Sequence, residues 1–515
     1  MLQFIEGTSG SGKTYVLRQM LMEKAKAGEE KLLLLVPEQN SFENERAMLR
    51  LMGPKDAGKI TVTSFTRMVD LVMRQTGGLA GRRLNDSGRN ILMSLALEQV
   101  RDEMVLYEKQ CGSREMVELM LSALKEFKMC GIGWEDLKKA ADSLEEGNLK
   151  KKVRETGLVM AAFDALVSQS YIDPLDDLTR LKNVLETTPF FEGYTVMVDA
   201  FAGFTVQELG VLALILRQAK ESVISICVDQ DPAKDNGMGL FSPVKKTVRQ
   251  LKQIAEDYHL PLAPPIRLTH GRRFQNEDLK LLEQAVYRRE RLEAEEPPAH
   301  IVLYNAADLY EEADFTARRI QKLVQERGYR YREITVIARE TDSYRGVLDA
   351  AMESYSIPYF MDQPEALDEK PLMTLVLSAF ECVQSGYRSD EIFRFLKTGL
   401  TELQTEEIAA LENYVLLWNI SGKRWLEPFT MHPNGFSEET TQEDQKKLEE
   451  LNCLRERVIG PLAQFEESLR SGTGRGIAYG VYQLLERLNA SQNIRRMADG
   501  LEALGEWNLA QEQIR

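Results

Sequence analysis

Hydrophobic and polar positions alternate along this chain in two rhythms. Leu2 to Ile5 is a short apolar run, and Val16, Leu17, Met20, Leu21 and Ala25 then recur at helical spacing until Gly28. That pattern predicts a strand, a loop and an amphipathic helix. Lys31 to Pro37 (KLLLLVP) is almost continuously apolar, as a strand buried on both faces of a parallel sheet must be. EQNSFENERAML follows as a polar loop and a helix, and the β-branched stretch Ile60 to Phe65 (ITVTSF) predicts a third strand. From about Leu79 to Pro189 the period changes to that of long amphipathic helices with little strand signal. The strand pattern resumes at Tyr194 to Phe201 (YTVMVDAF). A helix over Val206 to Lys220 and a strand over Ser222 to Val228 come next.

Paired prolines in Glu295-Glu296-Pro297-Pro298 end a charged helix and read as a linker. A second α/β rhythm begins after it: HIVLYNA, a helix from Asp308 to Arg327, REITVIAR, a helix from Tyr344 to Tyr355, and IPYFMD. Beyond Pro371 the pattern is almost wholly helical and stops at Arg515 without an evident ending, which predicts a chain that continues. The expected fold class is therefore α/β, with two domains of which the second is incomplete, each interrupted by a mainly helical insertion. The first domain occupies residues 1–78 and 191–296 around an insertion at 79–190. The second starts at 299–370 and its insertion spans 371–515.

Between the first strand and the first helix stands Gly7-Thr8-Ser9-Gly10-Ser11-Gly12-Lys13-Thr14. This matches G-x-x-x-x-G-K-[ST] in the strand–loop–helix setting the motif needs. Glycines let successive backbone N–H groups point at one anion, and the helix adds the positive end of its dipole. Lys13 is expected to reach the terminal phosphates of ATP or ADP, and Thr14 to place its hydroxyl on a magnesium ion shared with them. The competing reading is a Gly/Ser turn that carries a lysine by chance.

Composition narrows the chemistry. With 515 residues, 43% hydrophobic and 28% charged, the chain has the make-up of a soluble globular protein of two to four domains. No run of about 18 uncharged apolar residues occurs and no basic leader precedes the first strand, so no membrane contact is expected and the cytoplasm is. Cys111, Cys130, Cys227, Cys382 and Cys453 lie far apart with no C-x-x-C pair, and His259, His270, His300 and His432 are isolated. Zinc sites and histidine-based nucleophilic catalysis have nothing to stand on. A net charge of −15 excludes a surface that is basic throughout, but not a local groove for a nucleic acid strand.

Several stretches together carry a family resemblance. VPEQNSFENE, VTSFTRMVDLV, VMVDAFAGFTVQE, ITVIARETDSYRGVLDAAMESYSIPYFMDQ and FRFLKTGL resemble the corresponding segments of the AddB family, one of the two subunit types of AddAB helicase-nucleases, over essentially the whole chain. The resemblance implies two RecA-like P-loop domains of the superfamily-one helicase type. It also implies a heterodimer with the AddA subunit and work on double-strand DNA ends and single strands during Chi-regulated recombination and repair. A nuclease domain and an iron–sulfur cluster, which the family carries further along, are expected beyond Arg515.

In superfamily-one helicases the second acidic motif reads D-E-F-Q-D, its aspartate holding magnesium and its glutamate activating the attacking water. Here Asp199-Ala200-Phe201-Ala202-Gly203 keeps Asp199 and Phe201 but has alanine in place of the glutamate. Loss of that base predicts hydrolysis slower by roughly a few powers of ten, with phosphate binding intact. Glu208, nine residues on, is the next acid. The following motif is at best a remnant at Val228-Asp229-Gln230-Asp231-Pro232. By the same resemblance Thr63, Ser64, Phe65 and Arg67 lie where related helicases hold single-stranded DNA, hydroxyls on phosphate and an aromatic on a base.

Other readings stand beside these. Asp199 could cap the helix that follows, and Phe65 could be a core residue at a strand end. Arg272-Arg273 reads first as a basic turn on a solvated face, and otherwise as a phosphate contact. Lys397 is retained from the family with no chemistry attached. For function, a nucleotide- and DNA-binding scaffold with weakened hydrolysis leads. An active ATP-driven translocase and a small-molecule P-loop kinase are the alternatives.

Overall fold

The computed structural model describes residues 1–78, 80–229, 239–269, 271–288, 292–361, 367, 370–436, 440–470 and 472–514. Leu79, Gln230, Asp231, Pro232, His270 and Arg515, named above, lie outside them. The chain divides into two compact units, Met1–Tyr304 and Asn305–Arg515.

In the first unit six strands form one parallel sheet: β1 (Leu2–Gly7), β2 (Leu32–Leu35), β3 (Ile60–Thr63), β4 (Thr195–Val198), β5 (Glu221–Cys227) and β6 (Ile266–Leu268), in the order β3-β2-β4-β5-β1-β6. Side chains alternate across a strand, and both faces are covered. Leu33, Leu35, Val196, Val198, Ile224 and Ile226 face α3 (Phe65–Thr76) and three later helices. Leu32, Leu34, Met197 and Val223 face Leu17, Leu21 and Ala25 of α1 (Lys13–Lys26) and Met48 of α2 (Ser41–Ala57). The uninterrupted apolar run of β2 is thus explained by burial on both sides.

Residues after α3 leave the sheet and build α4 (Asp86–Val100), α5 (Arg114–Met129), α6 (Trp134–Ser143) and α7 (Asn148–Ser170) around their own core of Met93, Leu97, Met120, Leu124 and Phe163. α8 (Asp177–Thr187) lies within the span expected for the insertion, yet its Leu181 and Leu185 pack into the sheet core. α9 (Val206–Gln218), α10 (Ser242–Asp257) and α11 (Glu277–Arg288) complete the unit. At the neck of the helical segment, Arg82–Arg83 pairs in parallel with Tyr171–Ile172.

Beside this pairing sits a buried ionic cluster. Lys128 Nζ lies 3.1 Å from Asp173, 2.9 Å from Asp176 and 3.1 Å from Asp164, and Arg89 donates to Asp173 at 2.6 Å. Burial alone would lower the Lys128 pKa, but the three carboxylates outweigh it and raise it. Burial likewise works to raise Asp173, and Lys128 and Arg89 overrule it, holding its carboxyl below the usual range. Burial wins at Asp176, whose pKa is raised.

In the second unit α12 (Leu309–Arg327) and α13 (Leu348–Ser354) share a small core of Ala317, Ile320, Met352 and Ile357. The strands expected at HIVLYNA, REITVIAR and IPYFMD are absent among the described residues, so a second RecA-like sheet is not formed here. Ile357 is held in that small core, while other apolar side chains of these segments stand in water, Ile337 89% and Phe360 90% exposed. A β-prone segment becomes a strand only when a neighbour takes up its backbone groups and another layer covers its face. The remaining helices are α14 (Pro371–Gln384), α15 (Ser389–Leu396), α16 (Thr405–Leu417), α17 (Gln442–Leu469), α18 (Gly474–Arg487), α19 (Ala490–Ala503) and α20 (Trp507–Ile514). Trp425, Phe395, Leu411, Leu462 and Phe465 are buried in the core these helices share.

Candidate nucleotide site

The sheet brings the C-terminal ends of β4, β5 and β1 side by side, and in open parallel sheets ligands bind outside such ends. β1 stops at Gly7, and the loop Thr8 to Gly12 turns into α1. Gly7 must lack a side chain, because a Cβ there would lie 2.5 Å from Ser11 Oγ and 3.0 Å from the Leu268 carbonyl. Gly10, at φ 76°, is left-handed, and a Cβ would meet Arg273 Cβ at 2.6 Å. Gly12 precedes α1 without any side-chain cap, and the first turn holds no acid, so the leading N–H groups remain for an anion. Lys13 Nζ donates to the carbonyls of Gly7 at 2.9 Å and Thr8 at 2.7 Å, which curls the ammonium over the loop. Burial lowers its pKa, with Cys227 and Asp199 opposing and Arg273 assisting.

A cleft of about 550 Å³ opens on this loop, lined by Ser9, Gly10, Gly12, Lys13, Thr14 and a second group of residues from the chain after β4, from β5 and from the chain after β6. Asp199 belongs to that group. Its backbone N–H donates to Leu35 at 3.0 Å and continues the β2–β4 pairing. Val198 stands opposite Ile224, so the next position sets Asp199 beside Ser225, whose hydroxyl donates to the buried carboxylate. Helix capping does not account for Asp199, since α9 is capped by Thr205 and Glu208. Among the lining residues Asp199 is the sole carboxylate.

Ala200, the position that the resemblance aligns with the glutamate, has a φ of 64°. A left-handed alanine costs about 1–2 kcal/mol. Phe201 and Ala202 also line the cleft. Asp229, of the third-motif remnant, pairs with Lys245 at 2.9 Å.

Arg272 and Arg273, read from sequence first as a basic turn on a solvated face and otherwise as a phosphate contact, are exposed and line the cleft. The register explains it: β6 pairs Leu268 with Gly7, so the chain just beyond β6 runs past the loop just beyond β1. Arg272 N–H donates to the Gly10 carbonyl at 2.8 Å, and Arg273 donates to Ser9 Oγ at 3.3 Å. β6 is three residues long and follows prolines, so no local pattern marks it as a strand or anchors that register. Cys227, an undistinguished thiol in the sequence, lies at the end of β5 and also lines the cleft.

Thr63, Ser64 and Phe65 are buried. Thr63 donates to the Ser64 carbonyl at 3.1 Å, and Ser64 caps α3, accepting from Arg67 N–H at 3.3 Å and donating to Glu38. Phe65 meets Phe201 edge-on at 5.7 Å and Phe204 at 6.2 Å. Arg67 is the exposed member of the four, paired with Glu45 at 2.7 Å and donating to Ser41. Lys397 pairs with Glu412 at 2.7 Å.

The donor set fits magnesium nucleotide. A hydroxyl at Thr14 and a carboxylate at Asp199 are hard oxygen ligands on one cleft, and such a cation takes most of its shell from phosphate and water. No group of three or more His, Cys, Asp or Glu side chains that could hold a metal converges among the described residues. No described helix is long and apolar enough to cross a membrane.

Comparison with known proteins agrees with the resemblance. The family described as ADDB, N-terminal matches residues 4–283. The chain is 30% identical over 507 residues to the B-type subunit of the ATP-dependent helicase/deoxyribonuclease of Clostridium kluyveri, covering 96% of this chain and 44% of that protein. It is 31% identical over 508 residues to the protein of the same name from Clostridium tetani, again covering 96% and 44%. For that of Clostridium acetobutylicum the figures are 29% over 522 residues, 99% and 45%. The chain thus spans under half the length of the curated relatives it matches.

Proposed function

The chain belongs to the AddB amino-terminal family, and on that premise we propose that it is the nucleotide-binding, helicase-like part of a helicase–deoxyribonuclease subunit, with hydrolysis at its own site weakened or lost. The observation that carries the reading is the asymmetry of the cleft. The loop backbone, Lys13, Arg272 and Arg273 offer positive groups to an anion, while Asp199 is the sole carboxylate among the lining residues and is already engaged by Ser225.

In this reading the N–H groups of Gly10 to Lys13 and the start of α1 bind the β-phosphate region, and Lys13 leaves its two loop carbonyls to meet the terminal phosphates. Arg272 and Arg273 add positive charge alongside the loop. Thr14 and Asp199 would hold magnesium, which would supply positive charge against the phosphates. Asp199, the sole carboxylate among the lining residues, is taken up by Ser225 and in this reading by magnesium, which leaves no second carboxylate there to serve as the base. Ala200 contributes a methyl group, which cannot act as a base.

The partners proposed are DNA, as single strand and duplex end, and the AddA subunit. Thr63, Ser64 and Phe65 are buried with their side chains committed to the protein, so Arg67, exposed and paired with Glu45, is the member of that set that a phosphate would meet, in competition with Glu45. Equilibrium binding of ADP and of a non-hydrolysable ATP analogue tests the reading. The intact chain should bind both with magnesium, and Lys13→Ala, losing a charged hydrogen-bond donor, should bind roughly ten- to a hundredfold more weakly. Equal binding by the two proteins would overturn it.

A further inference from the structure

Far along the second unit, α18 presents a stripe whose residues have no evident role in folding. Its buried side is fixed: Leu484 is inside the core, and Gly480 lies so close to Ser468 of α17 that a Cβ there would collide with the serine side chain. The opposite side carries Tyr479 and Tyr482, 59% and 58% exposed, with ring centroids 6.3 Å apart and planes within 23°. Their hydroxyls make no hydrogen bond among the described residues. Arg475, one turn earlier, is exposed and has no carboxylate partner among them.

Positions 475, 479 and 482 fall at the i, i+4 and i+7 spacing of one helical face, spanning roughly 10 Å along the axis. The stripe starts at the N-terminus of α18, where Thr473 caps one N–H and the dipole favours an anion. Glu486, one turn beyond Tyr482, closes the stripe with a negative charge.

We propose that this stripe is a contact for single-stranded nucleic acid, with Arg475 and the helix N-terminus on a phosphate and the two tyrosine rings under successive bases. A pair of exposed rings with a cation at one end is what sequence-tolerant strand binding uses, since every base has a π-face. A protein partner would be expected to add an apolar surround, whereas the exposed neighbours on this face are Arg475, Ala478 and Glu486. The inference rests on the proposed single-strand binding of this chain and gives it a second, separate site.

The test is fluorescence anisotropy with the full chain, using a labelled single strand of thymidines and an otherwise identical abasic strand. Tyr479→Ala/Tyr482→Ala should bind the thymidine strand roughly tenfold or more weakly, on the usual worth of base stacking, and the abasic strand unchanged. Tyr479→Phe/Tyr482→Phe, which keeps the rings, should bind as the parent does. Unchanged affinity of the alanine variant for the thymidine strand overturns this site while leaving single-strand binding standing. Equal loss on both strands, or loss only of a polypeptide partner, also overturns it. Failure of the parent chain to bind either strand removes the broader reading as well.

Discussion

The Glu208 carboxylate accepts the Thr205 backbone N–H at 2.7 Å, and the Thr205 hydroxyl accepts the Glu208 N–H at 3.2 Å. This reciprocal box opens α9 and occupies the first acid after the defective motif. Glu208 is a helix cap, and it does not line the cleft. Glu208→Ala should therefore cost about 0.5–2 kcal/mol of local stability, seen as faster amide exchange in α9, and leave nucleotide affinity and turnover as they were. A large change in turnover would identify Glu208 as the missing base.

Phe65 gives a prediction of a different kind. Its ring is 5% exposed and wedged against Phe201 and Phe204, the latter two stacked at 4.9 Å. Phe65→Ala should behave as a core truncation, destabilising the sheet domain by about 3–5 kcal/mol, with exchange rising throughout β3 and α3. A ring that served only to stack on a DNA base would be replaced at almost no cost in stability. Normal exchange combined with lost strand binding is the result that restores the DNA-contact role.

The neck cluster makes stability depend on pH. Asp173, held below its ordinary 3.8, stabilises the fold above that value, and the contribution is lost as pH falls through the depressed folded value. Lys128, raised above 10.5, contributes fully below 10.5 and loses its contribution as pH rises through the higher folded value. Asp176 has the opposite sign to Asp173: its raised pKa makes its ionised form a cost above that value. Lys128→Met leaves Asp173 with Arg89 alone against Asp164 and Asp176, and should destabilise α4 to α7 by up to about 3 kcal/mol at pH 7. The loss should shrink below about pH 4, where carboxylates take up protons. Hydrogen exchange at the two pH values checks this, and an equal loss at both contradicts it.

Much of the first unit could be read from local pattern. The Gly7–Thr14 loop, the buried β2 run and the β4–Asp199 junction each carry their signal within a few residues. What escaped depended on register between distant segments. Arg272 reaches the loop because Leu268 pairs with Gly7, a pairing of positions 261 residues apart that no local periodicity encodes. Phe65 could be exposed or buried until Phe201 and Phe204 were known to meet it. The reverse error arose in the second unit: REITVIAR has the composition of a strand, and composition cannot supply the neighbour a strand needs.

The proposed site binds nucleotide without turning it over efficiently. Steady-state phosphate release by the full chain, with and without single-stranded DNA and alongside Lys13→Ala, measures it most directly. Turnover close to background, insensitive to DNA and unchanged by Lys13→Ala under conditions where the parent is saturated with nucleotide, is the predicted result. Robust DNA-stimulated turnover that Lys13→Ala abolishes would contradict it.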